Sequence, residues 1–179
     1  MKKKLLKKKL LLIMSVLVSL RLFCACSNNE EKDVLSSIKQ IEIDSGTRDF
    51  LSTELPVSSY IHWSYGFFQE IYTDTCLIIN SNEELQRIYD ESVSKLPELA
   101  IDFKRNTLVV GQHRIYERFT LPKKLERLIM YEKADNYTLQ VYYQKGDNDV
   151  DFGIPKLAYY WGVYPKLKDK KVVVNIIGI

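Results

Sequence analysis

The first 26 residues constrain this chain most, because they separate a segment that is removed from the part that can fold. Residues 1–9 contain six lysines, and an apolar run, Leu10–Leu20, follows them. A basic start followed by an apolar run of about 7–15 residues is typical of an export signal, and a membrane span needs ~20 residues. We therefore predict that residues 1–25 form a signal peptide.

Two cysteines near the end of this segment are candidates for lipid attachment. Cys24 follows the bulky Phe23, whereas Cys26 follows Ala25, and the peptidase requires a small residue at that place. We predict cleavage after Ala25 and lipidation of Cys26. The site resembles the lipoprotein box of the Bacteroidota, which implies a protein anchored in the cell envelope, at the outer membrane.

The predicted cleavage divides the chain into three parts: a lipoprotein signal peptide (1–25), a lipidated tether (26–36) and one domain (37–179). The stretch Ser27–Asp33 resembles the acidic tract that directs such lipoproteins to the cell surface, although any solvated linker has this composition. Each buried methylene of an acyl chain contributes about 0.8 kcal/mol, so that two or three chains would give stable membrane anchoring.

Charge and cysteine content change with this cleavage. The segment 1–25 carries seven basic and no acidic residues, so the formal charge falls from +3 to −4. A mildly acidic domain gives no reason to expect a nucleic-acid partner. Cys76 would be the one thiol left beside the lipidated Cys26, so no disulfide can form within the chain and the core must supply the stability.

The remaining pattern predicts an α+β fold, with a mostly antiparallel sheet packed against one main helix. Ser81 and Glu84 have the spacing of a capping box, and apolar residues follow at helical spacing, which predicts a helix over about residues 82–94. Residues 50–59 are predicted to form a loop. Predicted strands cover Ile38–Ile43, Thr75–Ile79, Leu108–Gly111, a hairpin of Leu125–Lys133 and Tyr137–Lys145, Lys156–Tyr164 and Lys171–Ile177.

From Cys76 onward the chain resembles the C-terminal domain of the protease-complex subunit PrcB and related small envelope lipoproteins. The resemblance rests on Asn80–Leu85, Ile101–Phe103, Leu108–Gly111 and the valine-rich Val172–Val174. Where that family commonly has a glycine-rich stretch, this chain has Gln112–Phe119. The resemblance implies a non-catalytic subunit that stabilises or positions an envelope partner.

Few residues are candidates for chemistry. His62 and His113 are the only histidines, and the sequence contains neither a Gly-x-Ser-x-Gly nor a His-Glu-x-x-His motif. Cys76 precedes apolar residues, which favours a core position over a nucleophile. Asp147, Asp149 and Asp151 have the spacing of a calcium loop but lack its glycine and glutamate, so we expect neither a metal nor a cofactor.

Aromatic residues are concentrated in two stretches, and strand alternation must place some of them on each face. Exposed rings would serve a protein or glycan interface, and rings covered on both faces would belong to the core. The candidate interface residues are Trp63, Tyr65, Phe67, Tyr160 and Trp161. We expect a non-catalytic binding or scaffolding lipoprotein; the alternative is an envelope hydrolase or protease inhibitor whose site is assembled from distant residues.

Overall fold

The computed structural model describes residues 36–60, 66–68, 73–92, 94–115, 121–146 and 156–178. All of them belong to one compact unit, Leu35–Ile179. The helices are α1 (Ser45–Glu54) and α2 (Asn82–Ile88). The strands are β1 (Ser37–Ile38), β2 (Ser58–Tyr60), β3 (Thr75–Ile79), β4 (Asn106–Ile115), β5 (Pro122–Glu132), β6 (Asn136–Lys145), β7 (Lys156–Pro165) and β8 (Lys171–Ile177).

The strands form two four-stranded sheets. The outer sheet has the order β1-β5-β6-β8 and the inner sheet the order β2-β7-β4-β3. All neighbouring strands are antiparallel except β6 and β8, which are parallel from Asn136 and Lys171 onward. A mixed fold that is mostly sheet agrees with the predicted class, but the predicted single sheet is replaced by two.

Two hydrophobic clusters lie on opposite faces of the inner sheet. One face of β4 and β7, which includes Leu108, Val110 and Leu157, packs against Leu51 of α1 and Leu85 of α2. The other face, which includes Val109, Tyr160 and Tyr164, packs against inward residues of the outer sheet such as Leu139 and Val141. The inner sheet is therefore the middle layer, which explains why its central strands are almost continuously apolar.

The prediction of one main helix is not confirmed, because the described residues form two helices and the predicted one is the shorter. Ser81 caps α2 as expected: its Oγ accepts from the Glu84 amide at 3.1 Å, while Glu84 Oε2 accepts from the Asn80 amide at 2.6 Å. The helix ends at Ile88, not near residue 94. There the Asp90 amide donates to Gly66 O at 2.7 Å, and this tertiary bond ends the helical pattern.

Helix α1 begins where the first strand was predicted to end, and it takes residues 50–54 of the predicted loop 50–59; β2 takes residues 58 and 59 of that loop. Asp44, expected to end a strand, caps the helix instead, since its Oδ1 accepts from the Thr47 amide at 3.0 Å. Thr47, Leu51 and Leu55 then face the core at helical spacing. The strand predicted for Ile38–Ile43 is reduced to β1, and Ile41 donates a single backbone hydrogen bond to Val163 O.

In the part of the chain that the structure describes, no helix combines the length and apolar character needed to cross a bilayer. The predicted signal peptide and Cys26 lie outside that part.

Candidate functional site

The predicted aromatic interface is only partly accessible. Phe67 and Tyr160 are 3 % and 2 % exposed, so their assignment as interface residues is wrong: both rings belong to the core. Tyr160 is held there because its ring covers Gly111 on the neighbouring strand, where a side chain would collide with it. Trp161 is half-buried and packs against the core with only part of its indole. Trp63 and Tyr65 lie outside the described residues.

Trp161 lies at a gap in the edge of the inner sheet. On that edge of β7, the Tyr159 amide donates to Val57 O at 3.3 Å, and Tyr159 O accepts from the Tyr143 hydroxyl at 2.8 Å. Further along, Val163 O accepts from the Ile41 amide at 2.8 Å. Trp161 lies two residues from both Tyr159 and Val163 along β7, and alternate residues of a strand direct their backbone N–H and C=O groups to the same edge. The N–H and C=O of Trp161 therefore point to this edge. Among the described residues these two groups have no hydrogen-bond partner.

The outer sheet has an irregularity close to this gap. The pairing of β5 with β6 steps from Leu125 opposite Tyr143 to Arg127 opposite Tyr142, so Glu126 is an extra residue in a β-bulge. A bulge bends its strand and redirects side chains, and bulges are frequent beside binding sites. Here Glu126 and Arg127 are both exposed, and the Arg127 guanidinium lies 4.1 Å from the centre of the Tyr142 ring.

Together the gap and the bulge enclose a cleft of about 330 Å³, which we call the Trp161 cleft. Its size lies at the lower end of the range of about 300–1,000 Å³ that is typical of ligand pockets. The side chains at the cleft include an aromatic ring, both signs of charge and neutral polar groups. It is lined by Gln40, Ser52, Leu55, Val57, Leu125, Glu126, Arg127, Leu128, Tyr159 and Trp161.

The arrangement of polar groups in the Trp161 cleft favours one class of ligand. The Trp161 backbone offers a donor and an acceptor side by side, the Ser52 hydroxyl can both donate and accept, and Glu126 offers acceptors. A phosphate would need mainly donors and a cation mainly acceptors. A hydroxyl group both donates and accepts, so the mixed set suits a neutral ligand that carries several hydroxyls.

His113 is paired with a carboxylate. Its Nδ1 lies 2.9 Å from Asp74 Oδ2, and the Asp74 Oδ1 accepts from the Arg114 amide at 2.8 Å. The Asp74 side chain is 59 % exposed and the His113 side chain 22 % exposed. The register of β3 and β4 explains the pair. Thr75 lies opposite Gln112 in these antiparallel strands, so Asp74, which precedes Thr75, lies opposite His113, which follows Gln112. A base with an orienting acid is therefore present at this sheet edge.

The described thiol on the same sheet face as this pair is not an activated nucleophile. Cys76 lies opposite Gly111 on the same face as His113, but burial raises the pKa of its thiol to about 11. The thiol is hydrogen-bonded to the Tyr160 hydroxyl, and burial raises the pKa of that phenol as well. A buried protonated thiol is a poor nucleophile. Cys76 is a half-buried residue packed against the core between the two sheets.

The remaining predicted sites lie outside the described residues. Asp147, Asp149 and Asp151 belong to residues 147–155, and His62 to residues 61–65. Within the described ranges, no three acidic, histidine or cysteine side chains are grouped so that they could hold a metal ion.

Comparison with known proteins identifies no relative: no protein-family model, curated protein or solved structure matches this chain.

Trp161 was predicted from the sequence as a site residue, but the other residues that line its cleft were not. Gln40 and Ser52 come from segments predicted as strand and loop, and Glu126 comes from the first strand of the predicted hairpin. The one signal in the sequence was that residues 125–133 alternate less clearly than residues 137–145. The bulge at Glu126 interrupts the strand pairing within that segment.

Proposed function

We propose that this chain is a non-catalytic binding lipoprotein of the outer envelope, held in the membrane by lipid on Cys26. Two kinds of observation support this function. The signal peptide and the Ala25–Cys26 step support export and anchoring, and the Trp161 cleft supports binding. The scaffolding role implied by the resemblance to PrcB is compatible with this proposal, with the bound ligand serving to position the protein.

The observation that carries the binding role is the sheet edge at Trp161, whose backbone groups have no hydrogen-bond partner among the residues that the structure describes. Backbone groups removed from water are nearly always hydrogen-bonded, so a backbone group on a sheet edge without a protein partner bonds to water or to a ligand. Here the unpaired N–H and C=O lie beside an indole that can stack on a flat, C–H-rich face. Sugar rings have such faces and carry several hydroxyls, so we propose that the cleft binds one or two sugar units of an envelope glycan.

The binding proposal can be tested by blocking the cleft from its exposed side. Ser52 lines the cleft from the surface of α1, and Ser52→Trp would fill the cleft without disturbing the core. Its neighbour Thr53 is exposed and does not line the cleft, so Thr53→Trp is the matched control. Calorimetry would use the detergent-solubilised full-length protein with chito-, cello-, manno- and xylo-oligosaccharides as probes.

We expect at least one neutral oligosaccharide to bind the wild type and the Thr53→Trp protein, and Ser52→Trp to abolish that binding. The exchange Trp63→Phe, which removes the only other tryptophan, should leave binding unchanged, whereas Trp161→Leu should weaken it. Undiminished binding by Ser52→Trp would contradict the proposed site. Failure of all four sugar series to bind at millimolar concentration would contradict the glycan class.

The anchor is tested separately by metabolic labelling with palmitate. Cys26→Ser should remove the label and move the protein from the detergent phase to the aqueous phase, because the acyl chains supply the membrane affinity. The control Cys24→Ser should keep both the label and the partitioning. If Cys24→Ser removed the label instead, the lipid would be on Cys24 and the assignment to Cys26 would be wrong.

The alternative of an envelope hydrolase has one observation in its favour, the His113–Asp74 pair. Cys76 is disfavoured as its nucleophile, since burial raises the pKa of that thiol and acts against thiolate formation. Hydrolysis of any bound oligosaccharide that disappears with His113→Ala would favour the alternative over the binding role.

A further inference from the structure

Strand β8 forms an unprotected edge of the outer sheet. Among the described strands it has one hydrogen-bonded neighbour, β6, and the register between them runs without interruption from Lys171 to Ile177. A strand at an edge presents a row of unpaired N–H and C=O groups to other chains. Proteins usually protect such edges with proline, a bulge, a charge or a very short strand.

Of these devices, β8 itself has only a single charge at its first residue. The strand is seven residues long, contains no proline and has one charge, Lys171, at its start. By contrast, the described strands at the other edges are shorter: β1 has two residues, β2 three and β3 five.

The side chains of β8 are also less covered than those of its neighbour. Val172, Val174 and Ile176 point into the core and are only half-buried, whereas Leu139 and Val141 on β6 are fully buried. On the opposite face, Val173 and Ile177 are 39 % and 37 % exposed. They are the only exposed large hydrophobic side chains in the described part of the chain.

We propose that β8 pairs with β8 of a second copy, antiparallel about a twofold axis at Val174, so that two outer sheets join into one. This proposal is independent of the Trp161 cleft. In this register Val172 faces Ile176 of the other copy, and Val173 faces Asn175. Lys171 faces Ile177, so no like charges meet, whereas a parallel arrangement would set Lys171 against its own counterpart.

The antiparallel register also brings the exposed hydrophobic residues of the two copies together. Positions two residues from a directly opposite pair are diagonal neighbours on the same face of a sheet. Val173 of one copy is therefore diagonal to both Val173 and Ile177 of the other. The pairing thus gives both exposed side chains apolar neighbours on the same face and supplies hydrogen bonds to the free edge, which is why a second copy fits this edge better than an unrelated strand.

The experiment uses paired charges on the exposed face, where they do not disturb the core. The double variant Val173→Lys with Asn175→Lys places lysines opposite each other across the axis. The matched variant Val173→Lys with Asn175→Glu places a lysine opposite a glutamate at the same two positions. Sedimentation of the detergent-solubilised full-length protein over a wide range of concentration measures the dimer, and circular dichroism checks that each variant is folded.

We expect the wild type and the lysine–glutamate variant to dimerise with rising concentration, and the double-lysine variant to dimerise about tenfold more weakly or not at all. A wild type that stays monomeric at every concentration overturns the proposal. Equal dimerisation of the two charged variants also overturns it, because an association through the micelle or another surface would not distinguish them. Weaker dimerisation of the lysine–glutamate variant than of the double-lysine variant would overturn the antiparallel register.

Discussion

The two sheets of this protein use similar residues under different constraints. The inner sheet is covered on both faces, so Val109 and Val110 are both buried although they point in opposite directions. The outer sheet is covered on one face, so Met130 is buried and its neighbour Ile129 is partly exposed. A continuous apolar run is therefore typical of a strand in the middle layer, and alternation of apolar and polar residues is typical of a strand in the outer layer.

The contrast extends to function, because both proposed binding surfaces occur where one sheet is incomplete. The Trp161 cleft lies where the edge of the inner sheet is interrupted between Val57 and Ile41. The β8 edge lies where the outer sheet ends without a covering element among the described residues. A ligand or a second chain can complete such places with hydrogen bonds that the fold itself does not supply.

The largest expected effect tests the coverage of the inner sheet. Leu108→Ala removes a fully buried side chain and should lower the free energy of unfolding by about 2–5 kcal/mol, because a cavity adds to the lost burial. Ile129→Ala on the uncovered face of the outer sheet should cost less than half as much. Denaturant titration measures both. Equal losses would show that the outer face is covered by a partner or by residues outside the described part.

A second test compares thiols in the two sheets. Because burial raises the pKa of Cys76 from 9 to about 11, its thiolate at pH 8 should be about 100-fold rarer than for an unperturbed thiol. Iodoacetamide should therefore modify Cys76 at least that much more slowly than a cysteine introduced by Ser37→Cys, which is exposed on β1. Peptide mass spectrometry separates the two sites. Similar rates would mean that the inter-sheet layer opens readily.

The smallest expected effect concerns the rim of the outer sheet. Lys170 and Lys168 lie 3.0 and 3.2 Å from Glu132 Oε1 and lower the pKa of that carboxyl. Its contribution to stability is therefore present above the unfolded-state pKa of about 4.3 and is lost as the pH falls through the lower folded-state pKa. Glu132→Gln should reduce stability slightly at pH 7, and the difference from wild type should vanish in acid.

High salt should also reduce the difference in stability between Glu132→Gln and the wild type, because the ion pairs of Glu132 with Lys168 and Lys170 are accessible to solvent. Glu42→Gln is the control, since Glu42 is exposed and has no described ion pair. A difference that persists unchanged in acid would indicate a packing role for Glu132 instead of a charge role.

Much of the fold was predictable because its signals are local. The alternation of Tyr137–Lys145, the apolar run Thr75–Ile79 and the Ser81 cap each depend on residues that are close in sequence, and the structure confirms these elements. Helix α1 was missed because its cap, Asp44, is equally suited to a turn. The length of α2 was overestimated because a backbone bond from Asp90 to Gly66 ends the helix.

The candidate site was less predictable for the same physical reason. Trp161 stood out as a large aromatic residue in a strand, and nothing local distinguished it from Tyr160, which proved to be core. Only the register of β4 and β7 decides which of the two covers Gly111. Likewise, only the pairing of β5 with β6 makes Glu126 a bulge.

Strands β3 to β8 could be predicted from the sequence alone, as could the helix cap of α2 and the expected lipid anchor at Cys26, because each depends on neighbouring residues; β1 and β2 could not. The tertiary structure alone decided that the strands form two sheets, that β8 runs parallel to β6 and that Trp161 lines a cleft. These features depend on which distant segments share a core, and the free energy of that choice comes from burial summed over the whole domain.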